Sequence, residues 1–563
     1  MRICVLQSAY PDQHELAEHD SGADPSRFTD QHTFEQRWIR KDSAKEQIDA
    51  AISEKFDFYF NFMWGQLEDE VAGVEACEYF ESFGLPSIGQ RSEVLKRSKN
   101  DFYRNARALG APRVPGTSNY PLFVKPSQSC ASLFISAKSL CRNRDELLES
   151  LKDLNQALEP GRKIAGRSGR PVSTSTVVDG IAIPDDIVVQ EFVQGWDHSV
   201  VVIEIGDCPV PLTPNRYVYP KGFVPYDDFL RFDIKFHEET DVKLLNRKEE
   251  PELFTKLQEM ALQAWKANQM AGQSWANVDL RVQANGEPIV LEVNPMPAVF
   301  LPDEKWEDAA VRESFPGGHR ALVNVLIASQ LIRRKTEENR QTHVANIFTR
   351  YSSKYAEDVI RLPVMSIYER IISLMDLSGS ILELGPGTGV FGHLLKKKTE
   401  LTPPASTSPS HNNTTTLTGI ELSKGMIEKC QETGLYNQIY HGSIQTLFPS
   451  IGPFDHIISF ATLCYTSPED FSLIMTRSFQ LARKSIAVTI DEITDAYNQR
   501  LREKDDPNMT GHNHKAEMEK TFCNPPPAGW KLSETFRQFG WSSPHVQSDI
   551  YVTAYIFERV EGE

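Results

Sequence analysis

The sequence predicts an α/β chain built from more than one domain, and three observations carry that expectation. Strand-like and helical stretches alternate from the first residues onward. In the second half an apolar strand runs into a glycine-rich turn and a helix, "ILELGPGTGVFGHLL". Between the two patterns lies "KTEENRQT", a charged stretch without apolar period, and 563 residues exceed what one core spans.

The elements follow in order. "RICVLQSA" reads as a strand, a helix begins near Ser43, and "FDFYFNFMWG" is a second apolar strand. A helix carrying "VAGVEACEYFESFG" stops at Gly84. Next come a helix, "SKNDFYRNARALG", and the strands "LFVKPS" and "IVVQEFVQG". Between those strands "GRSGRPVSTSTVVDG" has the composition of a surface loop. "WANVDLRVQANGEPIVLEVN" supplies two strands around a turn at "ANGE", and "RALVNVLIASQLIRRK" is helical. After the charged stretch, "LTGIELS", "IYHGSIQTL" and "FDHIISFATLCYTSPEDF" mark further strand ends. "ELTPPASTSPSHNNTTTLT" is low in complexity and is expected to be a disordered insert.

Composition narrows the class. Hydrophobic content of 40% and charged content of 24% are those of a soluble globular protein. A net charge of −17 argues against a nucleic-acid partner. The eight cysteines are scattered without a CxxC pair, as in a reduced intracellular protein lacking a zinc site. The first residues have no signal-peptide core, and no run approaches the ~20 apolar residues of a membrane span. A cytoplasmic location without a membrane partner is expected.

One stretch asks for chemistry. In "IVLEVNPMPAVF" Glu292 sits among apolar residues, and Asn294 shares its face because strand side chains alternate. A carboxylate in such a setting is costly unless paired or bound to a metal. Asp279 on the preceding strand is a second inward acid. Mg²⁺ takes a few carboxylate or amide oxygens together with phosphate oxygens. Taken alone, a hairpin with its polar residues in water explains these residues equally well. Lys125, at a strand end, is placed to reach phosphates, although most single lysines are solvated surface residues. Asp197 follows a glycine turn, where Asp is common without any function.

Residues 1–335 resemble the ATP-grasp ligases, closest to the D-alanine–D-alanine ligase branch. The resemblance rests on "FNFMWGQLEDEVAGVEACEYFESFGLPSIG", "SKNDFYRNARALGAPRVP", "PLFVKPS", "VVQEFVQGWDHSV" and "NVDLRVQANGEPIVLEVNPMP", in the family's order. It implies a pre-ATP-grasp α/β domain at 1–96 and an ATP-grasp catalytic region of α+β subdomains at 97–335. By the same resemblance Lys99 and Lys125 approach the ATP phosphates, and Ser132 matches the phosphate-loop serine. Gln190 and Glu191 lie at the adenine hinge, Asp197 takes the ribose, and Asp279, Glu292 and Asn294 bind Mg²⁺. The chain departs from the family at "SQSCASLF", a phosphate loop without glycine, although glycine normally lets backbone N–H groups approach phosphate. It also departs at Asn277, which aligns with the arginine that steadies the tetrahedral intermediate. Arg281 is expected to serve instead, with Lys235 in "FDIKF" as the γ-phosphate lysine. D-Ala–D-Ala specificity is therefore not expected.

In the second half Gly385, Gly387 and Gly389 let backbone approach a ligand at a strand's carboxyl end, and Glu421 ends the next strand. "GPGTGVFG" fits the NAD-binding GxGxxG spacing less well. Residues 343–563, after a linker at 336–342, resemble class I S-adenosylmethionine-dependent methyltransferases, with "ELGPGTG" as motif I and Glu383 at its usual acid position. The resemblance implies a Rossmann-like domain, in which Gly385 and Gly387 would contact S-adenosylmethionine and Glu421 would bind its ribose. By the same resemblance Ser443 and Ile444 would meet the adenine, Phe460 would flank the site, and Tyr355 in "RYSSKYAEDV" would close over the cofactor. His441, Tyr465 and the Asp491–Glu492 pair fall in pocket regions, and a carboxylate with aromatics suits an amine, favouring N- over O-methylation. His512 and His514 in "GHNHK" are expected on a surface loop rather than on a metal.

The combined expectation is a bifunctional enzyme acting on one small amino-acid-like metabolite, with carboxylate and amine substrates and with homodimerisation left open. Two alternatives stand beside it. In one, an active methyltransferase carries a regulatory ATP-binding module; in the other, a scaffold binds both nucleotides without turnover.

Overall fold

The computed structural model describes residues 1–11, 14, 17, 22–129, 132–166, 174–206, 208–237, 240–301, 306–401, 415–448, 451–504, 507–543 and 546–560. The chain forms two compact units. The first comprises Met1–Glu81 and Leu85–Arg334, the second Ser82–Gly84 and Lys335–Glu563.

The first unit opens with four strands, β1 (Arg2–Ser8), β2 (Thr33–Ile39), β3 (Phe58–Phe62) and β4 (Ser87–Gly89), in the parallel order β2-β1-β3-β4. β1 after its first residue and all of β3 are buried, which is why they read as unbroken apolar runs. Next come β5 (Leu122–Pro126), β6 (Leu140–Cys141), β7 (Thr174–Val178), β8 (Ile181–Pro184) and β9 (Ile187–Glu191). β6, β5 and β9 form one small antiparallel sheet, and β7 pairs with β8. The stretch expected as a surface loop therefore contains a strand at Thr174–Val178, whose β-branched residues pair across a turn at Asp179–Gly180. Its residues 167–173 lie outside the described ones, as do 402–414 of the expected insert.

The remaining strands of this unit are β10 (Trp196–Ile205), β11 (Cys208–Pro211), β12 (Asn215–Val218), β13 (Asp241–Leu244), β14 (Trp275–Val282) and β15 (Pro288–Asn294). They make a six-stranded sheet in the order β13-β12-β10-β14-β15, with β11 on β10. One face carries Val200, Val202, Val278, Leu280 and Val290 and packs on helix Pro251–Ala267 through Leu257, Ala261 and Ala264. The other face is divided along its length. At one end Val201, Ile203 and Trp275 pack with Phe58, Phe60 and Phe62, the Trp275 and Phe62 rings stacking at 5.4 Å. At the other end the same face is polar, and the candidate site lies there.

In the second unit the strands are β16 (Ser380–Leu384), β17 (Thr416–Glu421), β18 (Gln438–His441), β19 (Phe454–Ser459), β20 (Ala482–Asp491), β21 (Trp530–Ser543) and β22 (Ser548–Arg559). Their order is β18-β17-β16-β19-β20-β22-β21; the first five are parallel, and β22 runs antiparallel to both neighbours. Helices cover both faces. Pro468–Leu481 packs on one through Phe471, Met475 and Phe479, while Val364–Leu374 and Val390–Leu401 pack on the other through Ile367, Ile371 and Phe391. Strand order reverses at β16, the place where doubly wound sheets open a crevice at their carboxyl ends.

Residues 336–342, expected as a linker, are helical and lie within Gly318–Ile360. Their charges make helix-spaced pairs, Lys335–Glu338 at 3.0 Å and Arg340–Glu337 at 2.9 Å, so polarity here supports a helix. Among the described residues no helix is long and apolar enough to cross a membrane.

Phe471 is fully buried and stacks on His514 at 4.2 Å. Phe471→Ala should cost ~3–5 kcal/mol of second-unit stability, read as a lower urea midpoint with little change in slope.

Candidate active sites

The polar end of the six-stranded sheet is set by register. Asp197 lies opposite Arg281, Ser199 opposite Asp279, Asp279 opposite Glu292, and Asn277 opposite Asn294. A bulge between Asp279 and Leu280 leaves Leu291 without a partner and keeps Glu292 and Asn294 on the polar face. Two carboxylates thus sit side by side on neighbouring strands. Three lysines answer them. Lys125 comes from β5, and its Nζ lies 3.4 Å from Glu292 Oε2. Lys99 opens helix Lys99–Leu109, which Ser98 and Asp101 cap reciprocally, and its Nζ is also 3.4 Å from Glu292 Oε2. Lys235, on helix Phe232–His237, acts on both acids from farther off, with its Nζ 5.4 Å from the Trp306 ring centre. Lys125 is buried, not the solvated residue its type suggests.

The charges divide unequally. Burial, and then the charge of Glu292, push the Asp279 carboxyl well above its ordinary value. Burial would lift Glu292 too, but Lys99, Lys125 and Lys235 outweigh it and hold that carboxyl well below its ordinary value. The amides of Asn277 and Asn294 donate to Asp279 at 2.8 and 2.7 Å. Asn277 Oδ1 is then buried without a hydrogen-bond partner. Two carboxylates with amide oxygens beside them make a hard oxygen set that fits Mg²⁺, and the lysines suit phosphates. Among the described residues no group of three or more His, Cys, Asp or Glu is arranged to hold a metal, so the amide oxygen is needed.

Other expected residues carry partners of their own. Arg281 pairs with Asp197 at 3.2 Å and donates to the carbonyls of Pro225 and Asp228 at 2.8 and 2.9 Å. Its guanidinium also faces the Phe192 ring at 5.1 Å. In this state Arg281 anchors the 225–228 loop and Asp197, whose second oxygen accepts from Tyr219 at 2.7 Å. The Glu191 carboxylate accepts from Ser118 N, Asn119 N and Asn119 Nδ2, all within 3.1 Å, and caps that turn. Gln190 accepts from the buried Tyr103 hydroxyl at 2.7 Å. Ser132, in the stretch expected as the phosphate loop, has a left-handed φ of 59°, a conformation glycine would take more easily. Lys99 Nζ donates to Ser129 O in that loop at 2.7 Å. Tyr103 was not foreseen: a tyrosine inside "NDFYRN" carries no signal of its own.

In the second unit a cavity opens where strand order reverses. Tyr355, Gly385, Gly387, Glu421, Ser443 and Ile444 line it, six residues expected at one cofactor. Gly387 N donates to Glu421 Oε2 at 3.0 Å, and Ser423 N donates to Oε1 at 2.8 Å. Gly385 and Gly387 have φ of 80° and 55°. A Cβ on Gly385 would lie 2.2 Å from Thr462 Oγ1, so only glycine leaves this floor open. Gly389 faces Cys430 and Tyr436 and serves helix packing. Glu383 is buried and accepts from the Tyr436 hydroxyl. Ser443 caps the short helix Ile444–Leu447. Phe460 turns into the core and stacks on Tyr368 at 4.5 Å; its neighbours Ala461 and Thr462 reach the cavity.

Arg340, Val344 and Phe348 also line this cavity and were not foreseen. Their spacing of four residues, with Tyr355 two helical turns beyond Phe348, was the available signal. His514 is buried against Phe471 rather than on a surface loop, and burial pushes it down to about 4. The apolar ring face finds a better partner in Phe471 than in water.

Residues 174–300 match the family model described as D-ala D-ala ligase C-terminus. The candidate Mg²⁺ residues Asp279, Glu292 and Asn294 fall inside this matched segment. Among curated proteins, the D-alanine–D-alanine ligase of Ruminiclostridium cellulolyticum is 26% identical over 270 residues, 47% of this chain and 58% of that protein. The D-alanine–D-alanine ligase of Cupriavidus necator is 24% identical over 118 residues, 21% of this chain and 34% of that one. The chain thus spans only about a third to under three fifths of these relatives' length. Among solved structures, magnesium protoporphyrin IX methyltransferase from Synechocystis PCC 6803 aligns with a TM-score of 0.25 at 17% identity, covering 35% of this chain and 81% of that one.

Glu383 supplies a test by pH. Burial pushes its carboxyl up to about 8 from 4.5, with Tyr436 acting the other way. The folded chain therefore holds this proton more tightly than the unfolded one, and the stability it contributes is full below the ordinary value and lost as pH rises through about 8. The stability of the wild type relative to Glu383→Gln should fall between those limits and stay flat below them. Parallel curves across that range would remove Glu383 as a buried neutral acid.

Proposed function

We propose that the chain is a bifunctional biosynthetic enzyme of the cytoplasm. Its first activity is ATP-dependent ligation of a carboxylate to an amine, and its second is S-adenosylmethionine-dependent methylation of the same small amino-acid-like metabolite. The ligase reading rests on one observation above the others: Glu292 faces the ammonium groups of Lys99 and Lys125, and Glu292, Asp279 and Asn294 lie within the segment 174–300 that matches the ligase model. Asp279, Glu292 and Asn294 would hold Mg²⁺, which neutralises phosphate charge when bound. The lysines hold the phosphates in line with the attacking carboxylate, whose oxygen takes the γ-phosphoryl group and releases ADP. The amine then displaces phosphate from the acyl phosphate and leaves an amide. Positioning and charge neutralisation are the protein's share of this chemistry.

The methyltransferase reading rests on the cavity at the strand-order reversal, whose lining joins Gly385, Gly387, Glu421 and Tyr355. Glu421 would accept from the ribose hydroxyls, and the glycine turn would admit the rest of the cofactor, which supplies an electrophilic methyl group when bound. The residues fit it: a buried acid anchored by two backbone N–H groups stands beside a floor without side chains. N-methylation is favoured over O-methylation by the carboxylate and aromatic groups nearby. A shared chain raises local concentration if both sites meet one molecule.

One observation favours a second reading, in which the first unit senses ATP without turnover. Arg281 is committed to Asp197 and the 225–228 loop, and Asn277 stands at the family's arginine position. Glu292→Gln separates the two. With MgATP and pairs of amino acids, the wild type should release ADP in an amine-dependent way and form a condensation product, and Glu292→Gln should lose about a hundredfold or more of that rate. Mass spectra after adding S-adenosylmethionine should show one or more methyl groups on that product. Methyl gain without ADP release for any pair, equal in Glu292→Gln, would leave the sensor reading.

A further inference from the structure

The second unit holds a buried acid that neither the glycine turn nor Glu421 uses. β20 ends at Asp491, on the carboxyl edge where Gly385 follows β16, Glu421 closes β17 and Thr462 follows β19. Asp491 is 2% exposed. Trp541 Nε1 donates to its Oδ1 at 2.9 Å, and its Oδ2 is buried without a hydrogen-bond partner. Among the described residues it makes no ion pair. The ionisable groups that feel its charge are Tyr355, Tyr368, Cys464 and Tyr465, and Tyr355 and Tyr465 line the cavity. Burial pushes the Asp491 carboxyl up to about 6.

The next residue is the contrast. Glu492 is occupied by Arg537 at 2.8 Å, Lys515 at 2.9 Å and Thr553 at 2.7 Å, and these partners hold it well below its ordinary value against the effect of burial. Glu492 serves the sheet. Asp491, with an unmet acceptor on one oxygen, the Trp541 indole on the other and its charge felt by the cavity tyrosines Tyr355 and Tyr465, has the composition that recognises an ammonium group.

We propose that Asp491 is the acceptor-binding group of the second site and that the methyl acceptor is a small amine. This inference rests on the methyltransferase reading above. The amine enters as an ammonium ion and pairs with Asp491 Oδ2. One proton passes from nitrogen to Oδ2, leaving the nitrogen lone pair free. That nitrogen attacks the sulfonium methyl carbon; a nitrogen–carbon bond forms, the carbon–sulfur pair returns to sulfur, and the product leaves as an N-methylammonium ion. The proton on Oδ2 passes to water, so each turnover releases one proton. Trp541 keeps the carboxylate plane fixed throughout.

The test uses the full chain with S-adenosylmethionine and, as probes, the amides and the decarboxylated amines of the common amino acids. Mass spectrometry locates any methyl group. Calorimetry measures S-adenosylhomocysteine binding and then binding of the best amine to the loaded protein. The expected result is methyl on nitrogen, with Asp491→Asn losing about a hundredfold in kcat/KM and about tenfold in amine affinity. S-adenosylhomocysteine affinity should stay unchanged, because Asn still accepts from Trp541. Asp491→Glu, which keeps the charge, should recover part of the amine affinity. Methyl on oxygen, no amine accepted by a protein that binds S-adenosylhomocysteine, or equal loss in both variants would overturn the assignment to Asp491. Failure of the wild type to bind S-adenosylhomocysteine would instead sink the methyltransferase reading beneath it.

Discussion

Two carboxylates on adjacent strands, Asp279 and Glu292, have to share a poorly solvated face, and the first unit is arranged around that constraint. Like charges so close are tolerated only when cations or hydrogen bonds offset them. The offset comes from separate pieces of chain: Lys99 from a helix start, Lys125 from the small antiparallel sheet, Lys235 from a short helix, and two asparagine amides from the strands themselves. Each piece is held by its own packing, so the site exists only when the unit is assembled. The division of the β10–β14 face into an apolar end and a polar end makes this possible. Trp275 and Ile203 bind the sheet to the rest of the unit while Asp279 and Arg281, farther along, stay free of that core.

The second unit solves a related problem by different means. Its cavity is made of backbone as much as of side chains, because a strand end, a glycine turn and a carboxylate that accepts two N–H groups leave space where side chains would otherwise fill it. Acids with unequal environments recur there, three of them buried and Glu492 partly so. Glu383 is closed off by Tyr436, Glu421 is anchored by backbone, Glu492 is neutralised by cations, and Asp491 keeps one oxygen unmet. Four carboxylates with four surroundings are suited to four different tasks.

Much of this was legible in the sequence where local rules act alone. The reciprocal cap of Ser98 and Asp101, the left-handed Gly110 after Leu109 and the apolar runs of β1 and β3 follow from short-range preferences. The alternation around Glu292 put Asn294 on its face, and the bulge at Leu291 left that relation intact while shifting the residues before it. Illegible were the features that depend on distant partners. Nothing near Arg281 indicates that Asp197 and two carbonyls of the 225–228 loop occupy it, and nothing near His514 foretells the Phe471 ring. The charged stretch at 336–342 follows the point where the second unit begins, at Lys335, but its polarity did not show that it is helical; the four-residue spacing of Arg340, Val344 and Phe348 held that information.

We read the acids on β14 and β15, with the lysines above them, as a magnesium–nucleotide site. Calorimetric titration of a non-hydrolysable ATP analogue, with and without Mg²⁺, addresses it without requiring the substrates. Mg²⁺ should tighten nucleotide binding about tenfold or more, because the metal removes the repulsion between phosphate and the two carboxylates. Nucleotide binding of equal strength with and without Mg²⁺, or no binding in either case, would contradict it.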